Sequence, residues 1–86
     1  MPTVAIFYGI VVQFYWTEHP PPHFHARYAG EEAQIDIRKV KVLNGSLPKR
    51  ALAMVLEWTR VHQAELLEAW DAARAGQAPA RIAPLP

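Results

Sequence analysis

No cysteine occurs in the chain, so neither disulfides nor thiolate metal ligands contribute, and a reducing compartment is the natural setting. Long apolar runs are missing too. No stretch approaches the roughly 20 consecutive apolar residues that a membrane-spanning helix needs. The N-terminus has no basic lead in front of an apolar run. These absences lead us to expect a soluble cytoplasmic protein with no membrane partner. Net charge is scarce: nine basic against eight acidic residues leave a formal +1. So weak a field argues against nucleic-acid binding through bulk electrostatics and leaves room only for a local basic patch.

Apolar residues make up 51% of the 86, enough for one folded domain with a single modest core. The four histidines are unevenly spread, three of them lying between positions 19 and 25. There His19 is followed by Pro20, Pro21 and Pro22, a stiff connector that cannot extend a sheet ladder. Next, His23-Phe24-His25-Ala26-Arg27-Tyr28 alternates with the period of a strand. His23, His25 and Arg27 share one face, and Phe24, Ala26 and Tyr28 the other. One face suits a core, the other a ligand or a reaction.

Along the chain, residues 1–9 read as an edge strand or an ordered arm. Removal of Met1 would leave Pro2 as the terminal amine, although an ordinary translation start is the simpler reading. Residues 10–16 are β-branched and aromatic, with Ile10, Val12, Phe14 and Trp16 on one side and Val11, Gln13 and Tyr15 on the other. After the strand at 23–28, Ala29-Gly30-Glu31-Glu32 supplies a turn into a third strand, 33–38. Antiparallel pairing that places Phe24 and Ala26 beside Ile35 and Ile37 also places the histidines beside Gln34, Asp36 and Arg38. Depending on register, Asp36 then stands opposite His25 or Arg27. Residues 39–43 offer a short fourth strand, ended by the Asn44-Gly45 turn signal.

Ser46-Leu47-Pro48 marks a helix start, and nothing from 49 to 75 breaks a helix. Two apolar stripes are present, one through Leu52, Val55, Leu56 and Trp58, the other through Leu66, Leu67, Trp70 and Ala73. The polar stretch 59–63 allows either one long helix or two consecutive ones. Gly76 is placed to end it. A proline-rich, extended tail follows, with Ile82 and Leu85 available to dock. The expected architecture is α+β: an antiparallel sheet of three to four strands, with the helical segment packed on one face.

Several segments resemble a bacterial family catalogued as domain of unknown function 4160. They are Met1-Pro2-Thr3, Phe7-Tyr8-Gly9-Ile10, the Pro-Pro-His-Phe-His-Ala run at 21–26, Ile35-Asp36-Ile37, Leu47-Pro48, Arg50-Ala51-Leu52, Glu57-Trp58 and Leu66-Leu67-Glu68. Many members carry aspartate or asparagine immediately before the position of His19; this chain has Glu18 there. The resemblance implies a small protein encoded beside a second small protein, in the manner of a toxin–antitoxin pair. That neighbour would be its partner, and self-association is compatible with the pattern.

Three functional readings follow. The first is a small, metal-independent ribonuclease toxin. Histidine, with an ordinary pKa of about 6.5, suits both the base and the acid of RNA cleavage. His23 and His25 would take those roles, Arg27 or Arg38 would hold phosphate charge, and Asp36 would orient an imidazole. Tyr15 or Tyr28 would stack a base. The second reading is a zinc site in which His19, His23 and His25 are the ligands, with Asp36 in support. The third is a non-catalytic binding or antitoxin-like module, because Tyr15, Trp16, Arg27 and Arg38 are of types common at interface hot spots. The first two presuppose that the imidazoles and Asp36 look out together from a bare sheet face; the third needs only that the face be free for a partner. The plainer alternative is that they merely fill the solvated side of the sheet. His62, within the helical region, reads as a structural or solvent-facing residue.

Overall fold

A computed structural model describes residues 2–86; Met1, and with it the question of a free Pro2 amine, lies outside them. Five strands are formed: β1 (Thr3–Phe7), β2 (Ile10–Gln13), β3 (His23–Tyr28), β4 (Glu31–Asp36) and β5 (Lys41–Gly45). Helices α1 (Lys49–Val61) and α2 (Gln63–Arg74) follow. The sheet is a pure antiparallel meander in sequence order. The α+β expectation holds, with one more strand than three or four because residues 3–7 pair at the edge.

Two turns set the registers. Tyr8-Gly9 and Ala29-Gly30 are two-residue loops with positive φ at both positions, 51° and 81° in the first and 51° and 83° in the second. That geometry matches the right-handed twist of the flanking strands. The second turn is therefore tighter than the expected Ala29–Glu32 span, and β4 begins at Glu31. Tyr28 pairs with Glu31, which puts His23 opposite Asp36, His25 opposite Gln34 and Arg27 opposite Glu32. Neither expected partner for Asp36 is found. The parity of the faces is nonetheless as expected, with Phe24 paired to Ile35 and Ala26 to Ala33.

The even residues of β3 build the core. Phe24, Ala26, Ala33 and Ile35 are fully buried or nearly so, together with Ile10 and Val12. Helix α1 places Ala51, Val55, Trp58 and Thr59 on its buried side at spacings of three and four. Trp58 meets Phe24 edge to face at 5.9 Å and Phe7 at 5.2 Å. Burial of a side chain this large contributes on the order of 3 kcal/mol.

The two helices are separate. His62 lies between them at φ −114° and ψ 24°, outside helical geometry. Gln63 Nε2 donates to the Ile37 carbonyl at 2.9 Å and so ties the break to the end of β4. Helix α2 closes as the sequence implied: Gly76 has φ 77°, Gly76 N donates to Ala73 O at 3.1 Å, and Gln77 N donates to Ala72 O at 2.9 Å. This pair of hydrogen bonds is the Schellman closure of a helix on glycine. Residues 77–86 carry no helix or strand. There Ile82 N donates to Val4 O at 2.8 Å, and Trp58 Nε1 donates to the Ala83 carbonyl at 2.8 Å.

Candidate functional site: a buried histidine–carboxylate cluster

The site is made by the one long connection in the sheet, residues 14–22 between β2 and β3. The strand expected to run to Trp16 ends at Gln13. Thr17 then takes φ 56°, and the chain folds back over the odd face of β3. Tyr15 comes to lie flat on His25, with ring centroids 3.8 Å apart and planes 7° from parallel. Glu18 reaches the two imidazoles. Its Oε1 is hydrogen-bonded to His25 Nε2 and stands 3.4 Å from His23 Nε2. Pro20-Pro21 is a cis peptide, and Pro21 presents its carbonyl to His23 Nδ1 at 2.8 Å.

The opposite strand closes the cluster. Glu32 Oε2 bonds His25 Nδ1 at 2.9 Å, and its other oxygen lies 3.6 Å from Arg27 Nε. Helix α2 contributes Trp70, whose ring centroid is 5.2 Å from that of His23. His23 is thereby only 6% exposed and His25 4%. The expected bare face is not found at this point. Parity was right, yet the folded-back connector and Trp70 cover the histidine side while α1 covers the Phe24 side.

Each hydrogen bond restricts a ring. A carbonyl oxygen can only accept, so His23 Nδ1 carries the proton that meets Pro21. In the neutral ring Nε2 then holds a lone pair, and it has no hydrogen-bond partner among the described residues. His25 faces carboxylates from both nitrogens, and to donate to both ionised carboxylates the ring must carry protons on both nitrogens. Three donor atoms, one each from Glu18, His23 and His25, lie within 4.8 Å of one another.

The remaining candidates are placed as follows. Asp36 is 3% exposed and stands across from His23, but its Oδ1 accepts from Lys39 N at 2.9 Å. It holds the 37–40 turn and makes no bond to an imidazole, so the orienting carboxylate is Glu32 instead. His19 is exposed and outside the convergent set; Glu18, its neighbour, takes the position expected of it. Arg27 is exposed on the cluster's own face, beside Glu32. Arg38 is exposed in the turn after β4, and Tyr28 is half-buried against the Gly9 turn. His62 pairs with Glu65 at 2.5 Å at the helix junction, away from the others.

Sequence reasoning missed Glu18 and Glu32. Glu32 could have been found by extending the alternation of β4 two residues back, since it shares parity with Gln34 and Asp36. Glu18 lies on a connector with no period, and the one signal for it was the family pattern at the position before His19.

The class defined by this architecture is a small α+β domain with a five-strand antiparallel meander, two C-terminal helices and a histidine–carboxylate cluster under the β2–β3 connection. The chain belongs to the family described as domain of unknown function DUF4160, whose model matches residues 9–71. No curated protein and no solved structure matches it. The matched span includes the connector, both histidines, Glu32 and Trp70. Among the described residues no helix is long and apolar enough to cross a membrane.

Proposed function

We propose that the Glu18–His23–His25–Glu32 cluster is the working site of a small hydrolytic protein of toxin–antitoxin type, and that RNA phosphodiesters are its substrate. One observation carries this reading: two nearly buried imidazoles, flanked by the more exposed carboxylates of Glu18 and Glu32, include a shielded nitrogen with no hydrogen-bond partner among the described residues, His23 Nε2. An orphan of this kind costs about 1–3 kcal/mol, and a fold selected for stability alone would fill the place with an apolar side chain. Imidazoles and carboxylates gathered in a covered recess are the usual candidates for acid–base chemistry.

In this reading His25 is held by Glu32 and Tyr15 and shares its outer proton with Glu18. His25 would donate that proton to a leaving oxygen, and the freed Glu18 carboxylate would take the proton of the attacking hydroxyl. Both carboxylates are open to solvent, Glu18 at 24% and Glu32 at 39% side-chain exposure, so substrate would reach the cluster from its carboxylate side. Arg27 supplies positive charge on the same face. A neighbouring small protein would act as the antitoxin, covering this opening. The non-catalytic module is the weaker reading, because it gives the buried imidazoles nothing to do.

The test is inducible expression in bacteria of wild type against His25→Ala, with growth and RNA integrity followed. Growth arrest and RNA cleavage by wild type, relieved at least tenfold by the substitution, are expected. Equal effects of both proteins would remove the cluster from the reaction, and no effect of wild type would remove the toxin reading.

A further inference from the structure

We propose that Glu18, His23 and His25 bind one divalent transition-metal ion of the zinc class, with Glu32 and the Pro21 carbonyl aiming the two imidazoles. The inference rests on the reading of this cluster as the working site but replaces its proton-transfer steps: with an ion on Nε2, His25 and Glu18 would serve as ligands in place of acid and base. It starts from the ring protons. Pro21 fixes the Nδ1 proton of His23, so Nε2 offers a lone pair toward Glu18 with nothing to receive it. Glu32 likewise holds the Nδ1 side of His25 and leaves Nε2 facing the same Glu18 oxygen. A histidine that donates one ring N–H to a carboxylate or carbonyl and ligates through the other nitrogen is the usual arrangement around a protein-bound zinc. Here both histidines have it.

Geometry and charge agree. Residues two apart on a strand put both imidazoles on one face, and their ring centroids are 5.5 Å apart at 59°. Such tilted rings can share one ion between converging Nε2 atoms. Glu18 and Glu32 bring two carboxylates to the imidazoles, and Arg27 is the cation in contact, 3.6 Å from Glu32. No Lys or Arg side chain makes an ion pair with Glu18 among the described residues. An ion seated between Glu18 and the imidazoles supplies that charge. It takes the place of the His25 Nε2 proton, which leaves to solvent.

The donor set selects the metal class. With two nitrogens and one carboxylate oxygen, and no cysteine in the chain, it suits zinc, cobalt or ferrous iron better than calcium or magnesium. Three protein ligands match the catalytic type of zinc site, in which the next position takes water or substrate. Glu18 is the exposed ligand, at 24% against 7% and 4% for the histidine side chains, so that position opens beside it. Bound there, a zinc-class ion lowers the pKa of its water toward neutrality and polarises a phosphoryl oxygen.

The experiment is a cobalt(II) titration of the full chain prepared without a histidine tag and stripped with chelator, read by visible absorption and followed by zinc competition. One equivalent of cobalt with four- or five-coordinate bands, displaced by one equivalent of zinc, is expected. Glu18→Gln should weaken binding by roughly tenfold or more, and His23→Asn should abolish the four- or five-coordinate bands. Glu32→Gln leaves all three ligands in place and should still weaken binding roughly 10- to 100-fold, an effect that a purely structural glutamate would not have. His62→Ala should bind as wild type does. Circular dichroism of each variant verifies folding, and if His23→Asn fails to fold, Glu32→Gln decides the matter.

Absence of stoichiometric binding, or bands indifferent to both Glu18→Gln and Glu32→Gln, would overturn the inference. The two readings fail separately. RNA cleavage that persists in chelator, without cobalt binding, sinks the metal alone. Cobalt binding by a protein whose His25→Ala variant is as toxic as wild type sinks the ribonuclease alone.

Discussion

Tyr15 lies flat against His25, 3.8 Å between ring centres and 7° from parallel, and this contact joins the β2–β3 connection to the sheet face beneath it. It fixes the imidazole plane while Glu18 and Glu32 hold the two nitrogens. Tyr15→Phe keeps the stacked ring and should leave the cluster as it is. Tyr15→Ala removes the stack and should cost about 1–2 kcal/mol of unfolding free energy. It should also broaden the His25 imidazole signals in long-range nitrogen–proton spectra, whereas unchanged signals would mean that the carboxylates alone set the ring.

Asp36 separates structure from chemistry. It was expected to orient an imidazole, but it caps the 37–40 turn through Lys39 N. Asp36→Ala should therefore lower stability by about 1–2 kcal/mol in urea unfolding. Growth arrest and RNA cleavage at equal folded concentration should match wild type. Lost cleavage in a folded Asp36→Ala protein would return this residue to the site.

Much of the sheet could be read from the sequence, because parity is a strong constraint. A one-residue slip would bring His23, His25 and Arg27 to the core, so Phe24, Ala26, Ile35 and Ile37 had to share a side. Register was not available in the same way. The turn signal over Ala29-Gly30-Glu31-Glu32 left the loop length open, and Ala29 accepts φ 51° and closes the hairpin in two residues. That displaces Asp36 from His25 to His23 and converts Glu32 from a turn residue into the partner of His25. The break between the helices was legible as a polar stretch, and its position at His62 follows from Gln63 bonding the end of β4. The connector was opaque, since its conformation depends on Thr17 at φ 56° and on contacts distant in sequence.

Two glycines give a contrast in backbone tolerance. A Cβ on Gly45, at φ 78°, would meet the Glu32 carbonyl oxygen at 2.2 Å, whereas one on Gly76, at φ 77°, would meet nothing. Gly76→Ala should cost about 1 kcal/mol, the conformational penalty alone. Gly45→Ala adds a backbone clash behind Glu32 and should cost more than about 2 kcal/mol by thermal unfolding. Its cobalt affinity should fall too, because β4 must shift where it carries Glu32.

Trp70 offers an optical report on the cluster, since its ring is 5.2 Å from His23. Cobalt bound at His23 should quench part of the tryptophan emission. The quenching should vanish in Trp70→Phe and persist in Trp16→Phe. Persistence in Trp70→Phe would place the ion elsewhere.

Urea unfolding of His23→Leu in metal-free buffer bears most directly on the claim that this cluster is kept for chemistry and not for stability. Leucine keeps the contact with Trp70 and removes both the unpartnered nitrogen and the Nδ1 bond to the Pro21 carbonyl, changes of about 1 kcal/mol each and of opposite sign, so unfolding free energy within about 1 kcal/mol of wild type is expected. A loss of more than about 3 kcal/mol, as for breaking a buried pair that holds the fold together, would contradict the account.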